Sequence, residues 1–435
     1  MFVRSMGTAV LLCLAFAHPI LAQTPTGEIS GIVVEPSGSA VPGVTITLTS
    51  KTTNAVREVV TNGAGLYVIP AIPPGLYTLK AQISGFRVME RRDIEIQVGS
   101  ANRIPIILEL GDLTEVVEIR GGSPLVQSSN ASIGTVIENR SIVELPLNGR
   151  NYLQLASLIP GATTNGPSSS QGRQRMGGQR NSFALNVAGQ RIHYNHYSLD
   201  GVENTDLNFN SYMLLPSVDA LQEFKVEAGL FDAEYGRAIA QVNVSTRSGT
   251  NQLHGTAFEF LRNSALDAKN YFDRKDQPIP PFKRNQFGAT LGGPISRDRI
   301  HYFVSYERQI YDDVVTVNIP AFVLPIITDP RTEVPRPLRQ HNLFGKVTAT
   351  LSPRHYVNVT GMYGKQDRKA QDLGGNVAGD GGFDEDAYDV YLAGALTSVL
   401  SSTFTNQLRV AYSDAVKDRF PSGRRLGGRA PRSAG

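Results

Sequence analysis

LFGKVTATLS, residues 343–352, alternates apolar and polar side chains along most of its length. In an extended strand, successive side chains point to opposite faces, so one face carries the apolar residues and the other the polar ones. The apolar face consists of Leu343, Val347, Ala349 and Leu351, and the polar face of Lys346, Thr348, Thr350 and Ser352. The stretch therefore predicts a β-strand that separates an apolar environment from a polar one.

The same alternation recurs on both sides of this stretch, and apolar residues share a face along residues 388–400 and 404–412. Strands of an outer-membrane β-barrel need this period over about ten residues, although a soluble sandwich would alternate too. Tyrosines near the strand ends suit membrane interfaces and favour the barrel: Tyr302, Tyr306, Tyr356 and Tyr363. We predict that residues 251–418 form part of a barrel in contact with outer-membrane lipid.

The predicted barrel is incomplete. The alternation yields about seven strand candidates, which leave two unpaired strand edges. Residues 419–435 are rich in Arg, Gly and Pro, and we predict a tail without strands that is not a nucleic-acid-binding arm. Because open strand edges are not tolerated in hydrocarbon, we expect the chain to be a truncated product or a fragment.

Upstream, residues 23–110 contain short runs rich in Val, Ile and Thr between Gly/Pro turns. That spacing indicates a small antiparallel β-sandwich. Tyr67 and Tyr77 could stack on a sugar ring if they were exposed, but both fall in strand patterns, where a core aromatic is the commoner role. The sequence therefore favours a structural role for both tyrosines.

Residues 121–250 have a mixed α/β character, with helix candidates at 141–145 and 152–158 and strand candidates at 184–188, 197–199 and 239–246. His193 and His196 lie three residues apart, but a zinc site needs a third protein ligand, and surface histidines are the commoner case. No nucleophile elbow, Walker-type loop or dinucleotide fingerprint occurs in the chain. The sequence predicts neither an enzyme nor a cofactor.

The amino terminus has the pattern of an export signal. Arg4 precedes a short apolar run, and cleavage after Ala22, or alternatively after Ala17, would remove it, so we assign residues 1–22 to a signal peptide. Cys13, the only cysteine, lies in this segment. The charge balance of 42 Lys+Arg against 39 Asp+Glu gives a net charge of only +3, so no nucleic-acid partner is predicted.

Several phrases of the first folded unit resemble the carboxypeptidase regulatory-like domain, a transthyretin-like sandwich grouped with carbohydrate-binding-like folds. The matching phrases are GIVV at 31–34, VPGV at 41–44, TNGAGLY at 61–67, IPPGLY at 72–77 and GF at 85–86. The resemblance implies a fold more firmly than an activity.

The following two units resemble the plug and the first barrel strands of Oar-like TonB-dependent outer-membrane receptors. In the plug, the matching phrases are LPLNGRNY at 145–152, LIPG at 158–161, LDGV at 199–202, ALQEFKV at 220–226 and AEYGR at 233–237. In the barrel, they include HGTAFEFLRN at 254–263 and RNQFG at 284–288. The resemblance implies a mainly β protein with a sandwich, an α/β plug and an incomplete antiparallel outer-membrane barrel.

Between sandwich and plug, residues 111–120 resemble a TonB box, the strand to which a TonB-type periplasmic energy-coupling protein pairs. Thr114, Val116 and Val117 occupy the matching positions, and Glu115 interrupts the pattern. The resemblance implies that these four residues contact TonB; the alternative is a plain linker strand. It also implies a ligand-facing plug loop at 203–212, with candidate residues Glu203, Asn204, Asp206, Asn208 and Tyr212.

The expected function is TonB-dependent transport across the outer membrane of a Gram-negative-type bacterium. The small ligand is not specified by the sequence, and a siderophore, an oligosaccharide or a peptide would each fit. The rival hypothesis is a cell-envelope carbohydrate-binding or adhesive protein that uses the sandwich and does not transport.

Overall fold

The structure, a computed structural model, describes most of the chain. The described residues are 26–111, 116–120, 134–147, 149–165, 184–189, 194–206, 211–228, 240–269, 276, 278–320, 322, 324–326, 331–374, 377, 381–401 and 404–421. The predicted signal peptide lies outside these ranges, as does the predicted tail beyond residue 421. Within the described ranges, no helix is both long and apolar enough to cross a membrane.

The first unit is a two-sheet β-sandwich. Its strands are β1 (Gly27–Val34), β2 (Thr45–Ser50), β3 (Val56–Val60), β4 (Leu66–Ile72), β5 (Gly75–Gln82), β6 (Val88–Ile96), β7 (Ala101–Arg103), β8 (Ile106–Ile107) and β9 (Val116–Arg120). One sheet has the order β4-β1-β7, with β8 also on β1, and the other has the order β3-β2-β5-β6-β9. The predicted antiparallel sandwich is corrected in one respect, because β7 and β8 run parallel to β1, and β9 runs parallel to β6.

The sandwich core follows from the period-two pattern of its strands. In β1, every second residue is buried, and the same holds for β2. Tyr67 and Tyr77 are 3% and 7% exposed, and their hydroxyls donate to the carbonyl oxygens of Ile104 and Pro73, each at 2.7 Å. Both tyrosines are therefore structural, as their strand positions predicted.

The second unit surrounds a five-stranded sheet of order β10-β17-β18-β13-β14. Its elements are β10 (Gly134–Glu138), α1 (Asn139–Glu144), a 3-10 helix (Tyr152–Leu158), β11 (Ala162–Asn165), β12 (Ala184–Val187), β13 (Asn195–Leu199), β14 (Val202–Glu203), β15 (Thr205–Asp206), β16 (Ser211–Tyr212), a 3-10 turn (Val218–Ala220), β17 (Leu221–Ala228) and β18 (Ala240–Thr246). One face of the sheet is apolar and packs on the helical turns. The opposite face is polar and also buried, with Glu223, Lys225 and Asn243 among its members.

The third unit is a meander of long antiparallel strands in the order β19-β20-β21-β23-β24-β25-β26, with the short β22 on β21. The strands are β19 (His254–Asn263), β20 (Phe282–Ser296), β21 (Ile300–Thr316), β22 (Glu333–Pro335), β23 (Leu338–Ser352), β24 (His355–Gln371), β25 (Phe383–Val399) and β26 (Thr405–Pro421). Strand β26 runs three residues past the predicted boundary at 418. Among the described strands, β19 and β26 do not pair with each other, so the sheet is open.

The alternation predicted for β23 is observed. Leu343, Val347 and Leu351 are 49%, 40% and 56% exposed, whereas Lys346 and Thr348 are 7% and 5% exposed on the inner face. The inner side of the sheet packs on the second unit, and barrel residues such as Phe344 join that unit's apolar core. The second unit therefore lies against the inner wall of the barrel sheet, where a plug would be.

Candidate functional site

The predicted TonB-contact segment lies partly within the described residues. Thr114 and Glu115 lie outside them. Val116 and Val117 begin β9, where their backbones pair with Val88 and Met89 of β6. Strand β9 is the last strand of its sheet, so residues 116–120 form an edge strand of the sandwich.

The predicted ligand-facing loop divides into buried and exposed residues. The side chain of Asn204, 2% exposed, donates to the carbonyl oxygen of Leu214 at 2.9 Å and accepts from its amide at 3.0 Å. Tyr212, 1% exposed, packs edge-on against Tyr197 at 5.9 Å between ring centroids. These two residues make contacts inside the plug that stabilise its fold, and their ligand-facing role remains a prediction.

Glu203 is the exposed residue of this loop, with 48% of its side chain accessible. Its carboxylate contacts His196 Nε2 at 2.5 Å and accepts from the Thr205 amide at 2.9 Å. Partial burial opposes ionisation, but hydrogen bonds from His196 and Thr205 outweigh it and lower the pKa of Glu203. Asp206 lies in β15, and Asn208 lies outside the described residues, as does His193.

Asp200 fastens the plug to the barrel wall. It sits in the turn after β13 with a positive φ of 48°, and an Asp-Gly pair is typical of a turn. Its carboxylate accepts from Lys346 Nζ at 3.0 Å, from Thr360 Oγ1 at 3.1 Å and from the Thr246 amide at 2.9 Å. Asp200 and Lys346 are 6% and 7% exposed, so a buried ion pair links plug and barrel across 146 positions of sequence.

Arg150 forms a second contact between plug and barrel. It lies in the phrase LPLNGRNY, just before the first 3-10 helix, and its Nη2 donates to Asp219 Oδ2 at 2.5 Å. Its Cζ lies 4.2 Å from the ring centroid of Phe258 and 4.5 Å from that of Phe260, both on β19. Cation–π contact of a desolvated guanidinium adds to the ion pair. The family phrase contained Arg150, but the sequence did not reveal this role.

The sandwich also contacts the plug through its β6–β7 turn. The Val98 amide donates to Glu223, and Lys225 Nζ donates to the carbonyl oxygen of Gly99 at 3.0 Å. Lys225 is paired with Glu227 at 2.7 Å, both 2% exposed. Burial raises the pKa of Glu223 to about 7, partly offset by the hydrogen bond from Val98. This junction is therefore polar and sensitive to proton binding.

Two family models match the chain. The carboxypeptidase regulatory-like domain covers residues 28–109, and an outer membrane beta barrel domain covers residues 245–323. The combination of this sandwich with a plug-like unit against the inner wall of a barrel sheet is similar to the architecture of TonB-dependent outer-membrane receptors. The predicted fold class and outer-membrane location are thereby confirmed.

More particularly, the chain is a homologue of the TonB-dependent transporter Oar of Myxococcus xanthus. The two are 27% identical over 332 residues, which make up 72% of this chain and 30% of the relative. The crystal structure of the outer membrane transporter YddB from Escherichia coli is similar with a TM-score of 0.50 at 15% identity, covering 64% of this chain and 38% of that chain. The predicted Oar-like resemblance is confirmed, and the chain spans well under half the length of both proteins.

Proposed function

We propose that this chain belongs to an outer-membrane transporter whose plug is opened when a TonB-type periplasmic protein pairs with the β9 segment. The observation that carries the proposal is the position of β9, an edge strand of the sandwich that precedes the plug in the chain. Strand addition requires an unpaired edge, and β9 has one neighbour, β6, among the described strands.

The pairing with β6 gives β9 a defined starting conformation. Five residue pairs, from Val88–Val116 to Arg92–Arg120, hold it in register. Because fixing the backbone of one residue costs about 1–2 kcal/mol of entropy, an already ordered strand binds a partner strand at lower cost than a loose peptide does. A pull on β9 would act on both the sandwich and the plug.

Such a pull has to break identifiable contacts. The Asp200–Lys346 ion pair and the Arg150 contacts with Phe258 and Phe260 hold the plug against the barrel. Apolar barrel residues such as Phe344 also pack into the plug core, so opening the interface exposes apolar surface as well as charged groups. The charged groups regain hydrogen bonds from water once they are exposed, which offsets part of the cost of moving the plug.

The test is Val116→Pro, with Val116→Thr as the matched control. Proline removes a backbone donor and disrupts a paired strand, whereas threonine keeps strand propensity. We expect the full chain carrying Val116→Pro to lose capture by an immobilised periplasmic domain of a TonB-type protein, and Val116→Thr to retain it. Equal capture of Val116→Pro and wild type, at equal protein levels, would leave residues 111–120 as a linker.

The transported ligand stays unspecified, and a siderophore, an oligosaccharide or a peptide each remains compatible with the proposal. Within the predicted loop, exposed Glu203 is the described residue we propose to face ligand.

The rival carbohydrate-binding or adhesive role would need exposed tyrosines on the sandwich for stacking on a sugar ring. Tyr67 and Tyr77 are both buried. The similar proteins are transporters, which agrees with the prediction that the chain is not an enzyme.

A further inference from the structure

A cavity of about 210 Å³ lies where the sandwich, the plug and the barrel meet. Its walls come from residues 50–57 and 71–77 of the sandwich, 245–250 of the plug, and 346–358 of the barrel. The volume exceeds that of a cavity of about 150 Å³ that accommodates benzene, so a small organic molecule fits at least in part. The cavity is distinct from the predicted ligand loop at 203–212, none of whose described residues lines it.

Arg57 on β3 is the distinctive side chain of this cavity. Its Nη1 donates to the carbonyl oxygen of Pro70 at 2.9 Å, and its Cζ lies 5.3 Å from the ring centroid of Tyr356. These contacts fix the guanidinium, yet its Nη2 is buried and has no hydrogen-bond partner among the described residues. Burial lowers the pKa of Arg57, because loss of contact with water disfavours the charged guanidinium.

A buried donor without an acceptor is costly, and a buried cation without a counter-ion is costlier. Within the described part of the chain, Arg57 forms no ion pair with a carboxylate. Guanidinium groups bind carboxylate and phosphate oxygens through charge-assisted hydrogen bonds, which are stronger than hydrogen bonds between neutral groups. The environment of Arg57 therefore lacks an anion.

The rest of the lining has the same character. The one acidic residue that lines the cavity, Asp200, is already bonded to Lys346. Other basic residues lining it are Arg354 and Arg409, with His301 and His355. Twelve lining residues are serines or threonines, which can exchange hydrogen bonds with hydroxyl groups.

We propose that this cavity binds a small hydroxylated anion, such as a sugar acid or a sugar phosphate, whose charged group pairs with Arg57. The site is assembled from all three units, because Arg57 comes from the sandwich, Asp200 from the plug and Tyr356 from the barrel. The inference does not depend on the transport proposal, since it concerns binding at the junction with the sandwich and not movement of the plug.

The test is calorimetric titration of the detergent-solubilised full chain with glucuronate, inorganic phosphate and glucose. We expect an anion to bind at least about tenfold more tightly than glucose, because the charged contact is the stronger one. Arg57→Gln should remove that difference, whereas Arg103→Gln, an exposed arginine on β7, should keep it. A preference for glucuronate identifies a carboxylate ligand, and a preference for phosphate identifies a phosphate ligand.

A second measurement needs no variant. Phenylglyoxal modifies accessible arginines, and mass spectrometry reports the extent at each one. Arg57 as a whole residue is half-buried, so the reagent can reach it in the free protein. A bound anion should protect Arg57 and leave Arg103 unprotected. Equal affinity for glucose and both anions, or no protection of Arg57 by either anion, would overturn the proposal.

Discussion

Replacing Lys346 by methionine should weaken the attachment of the plug to the barrel. Lys346 Nζ donates to Asp200 Oδ1 at 3.0 Å and to the hydroxyl and carbonyl oxygens of Thr246 at 3.0 and 3.2 Å. Without the ammonium group, Asp200 stays buried as a carboxylate with neutral donors only. Breaking a buried pair by removing one partner costs about 3–5 kcal/mol, much of it from the charge left behind.

The second member of the pair allows this cost to be separated from lost packing. Asp200→Asn alone leaves the buried ammonium of Lys346 without its carboxylate partner, and we expect a loss of unfolding free energy of the same order. The double variant removes both charges, so its loss should be clearly smaller than the sum of the two single losses. Lys365→Met, an exposed lysine on β24, serves as the control and should change stability by about 0.5 kcal/mol or less.

The assay is urea unfolding of the full chain in detergent, followed by circular dichroism because the chain contains no tryptophan. Plug release is followed in parallel by limited proteolysis of residues 134–246. Two results would refute the reasoning. One is a Lys346→Met protein as stable as Lys365→Met, and the other is additivity of the Lys346→Met and Asp200→Asn losses, which would mean that the charges do not interact.

Three further predictions concern the sandwich and the plug. The pKa of Glu223 is raised from 4.5 to about 7 in the folded state, so its protonated form favours folding. The contribution of Glu223 to stability is fully present below pH 4.5 and falls by about 3 kcal/mol as the pH rises through 7. Glu223→Gln should flatten this dependence in urea titrations at pH 4.5 and 7.5. Gly31→Ala would place a methyl group 2.7 Å from the Tyr67 ring and 2.1 Å from a backbone oxygen, which should cost about 1–3 kcal/mol in thermal unfolding of the sandwich. Arg150→Lys keeps the charge and loses planar stacking on two rings, so the plug should lose about 1–3 kcal/mol and become more sensitive to protease.

Each of these predictions has a contrary outcome. An unchanged pH slope in Glu223→Gln would mean that other carboxylates titrate across that range. A Gly31→Ala sandwich as stable as wild type would show that β1 can shift away from Tyr67 without loss. If Arg150→Lys resists protease as well as the wild type does, the stacking on the two rings contributes nothing beyond the ion pair.

Much of the architecture is already readable along the sequence, because it depends on local periodicity. The alternation in residues 343–352 identified both faces of β23, and the strand positions of Tyr67 and Tyr77 correctly predicted burial. Period-two burial is a property of neighbouring residues, so no long-range information is needed. Strand β3 has the sequence VREVV, which shows no regular alternation, so periodicity alone does not predict it.

The functional contacts depend on tertiary structure, since each joins residues far apart in the chain. Asp200 reads as a turn residue, and only the barrel wall brings Lys346 to it. Nothing in the local sequence distinguishes Arg57, and only the packing of the sandwich against the barrel places its guanidinium beside Tyr356. Sequence periodicity determines which side of a strand is buried, but the partner of a buried charge is decided by which surfaces meet, and that depends on packing over the whole molecule.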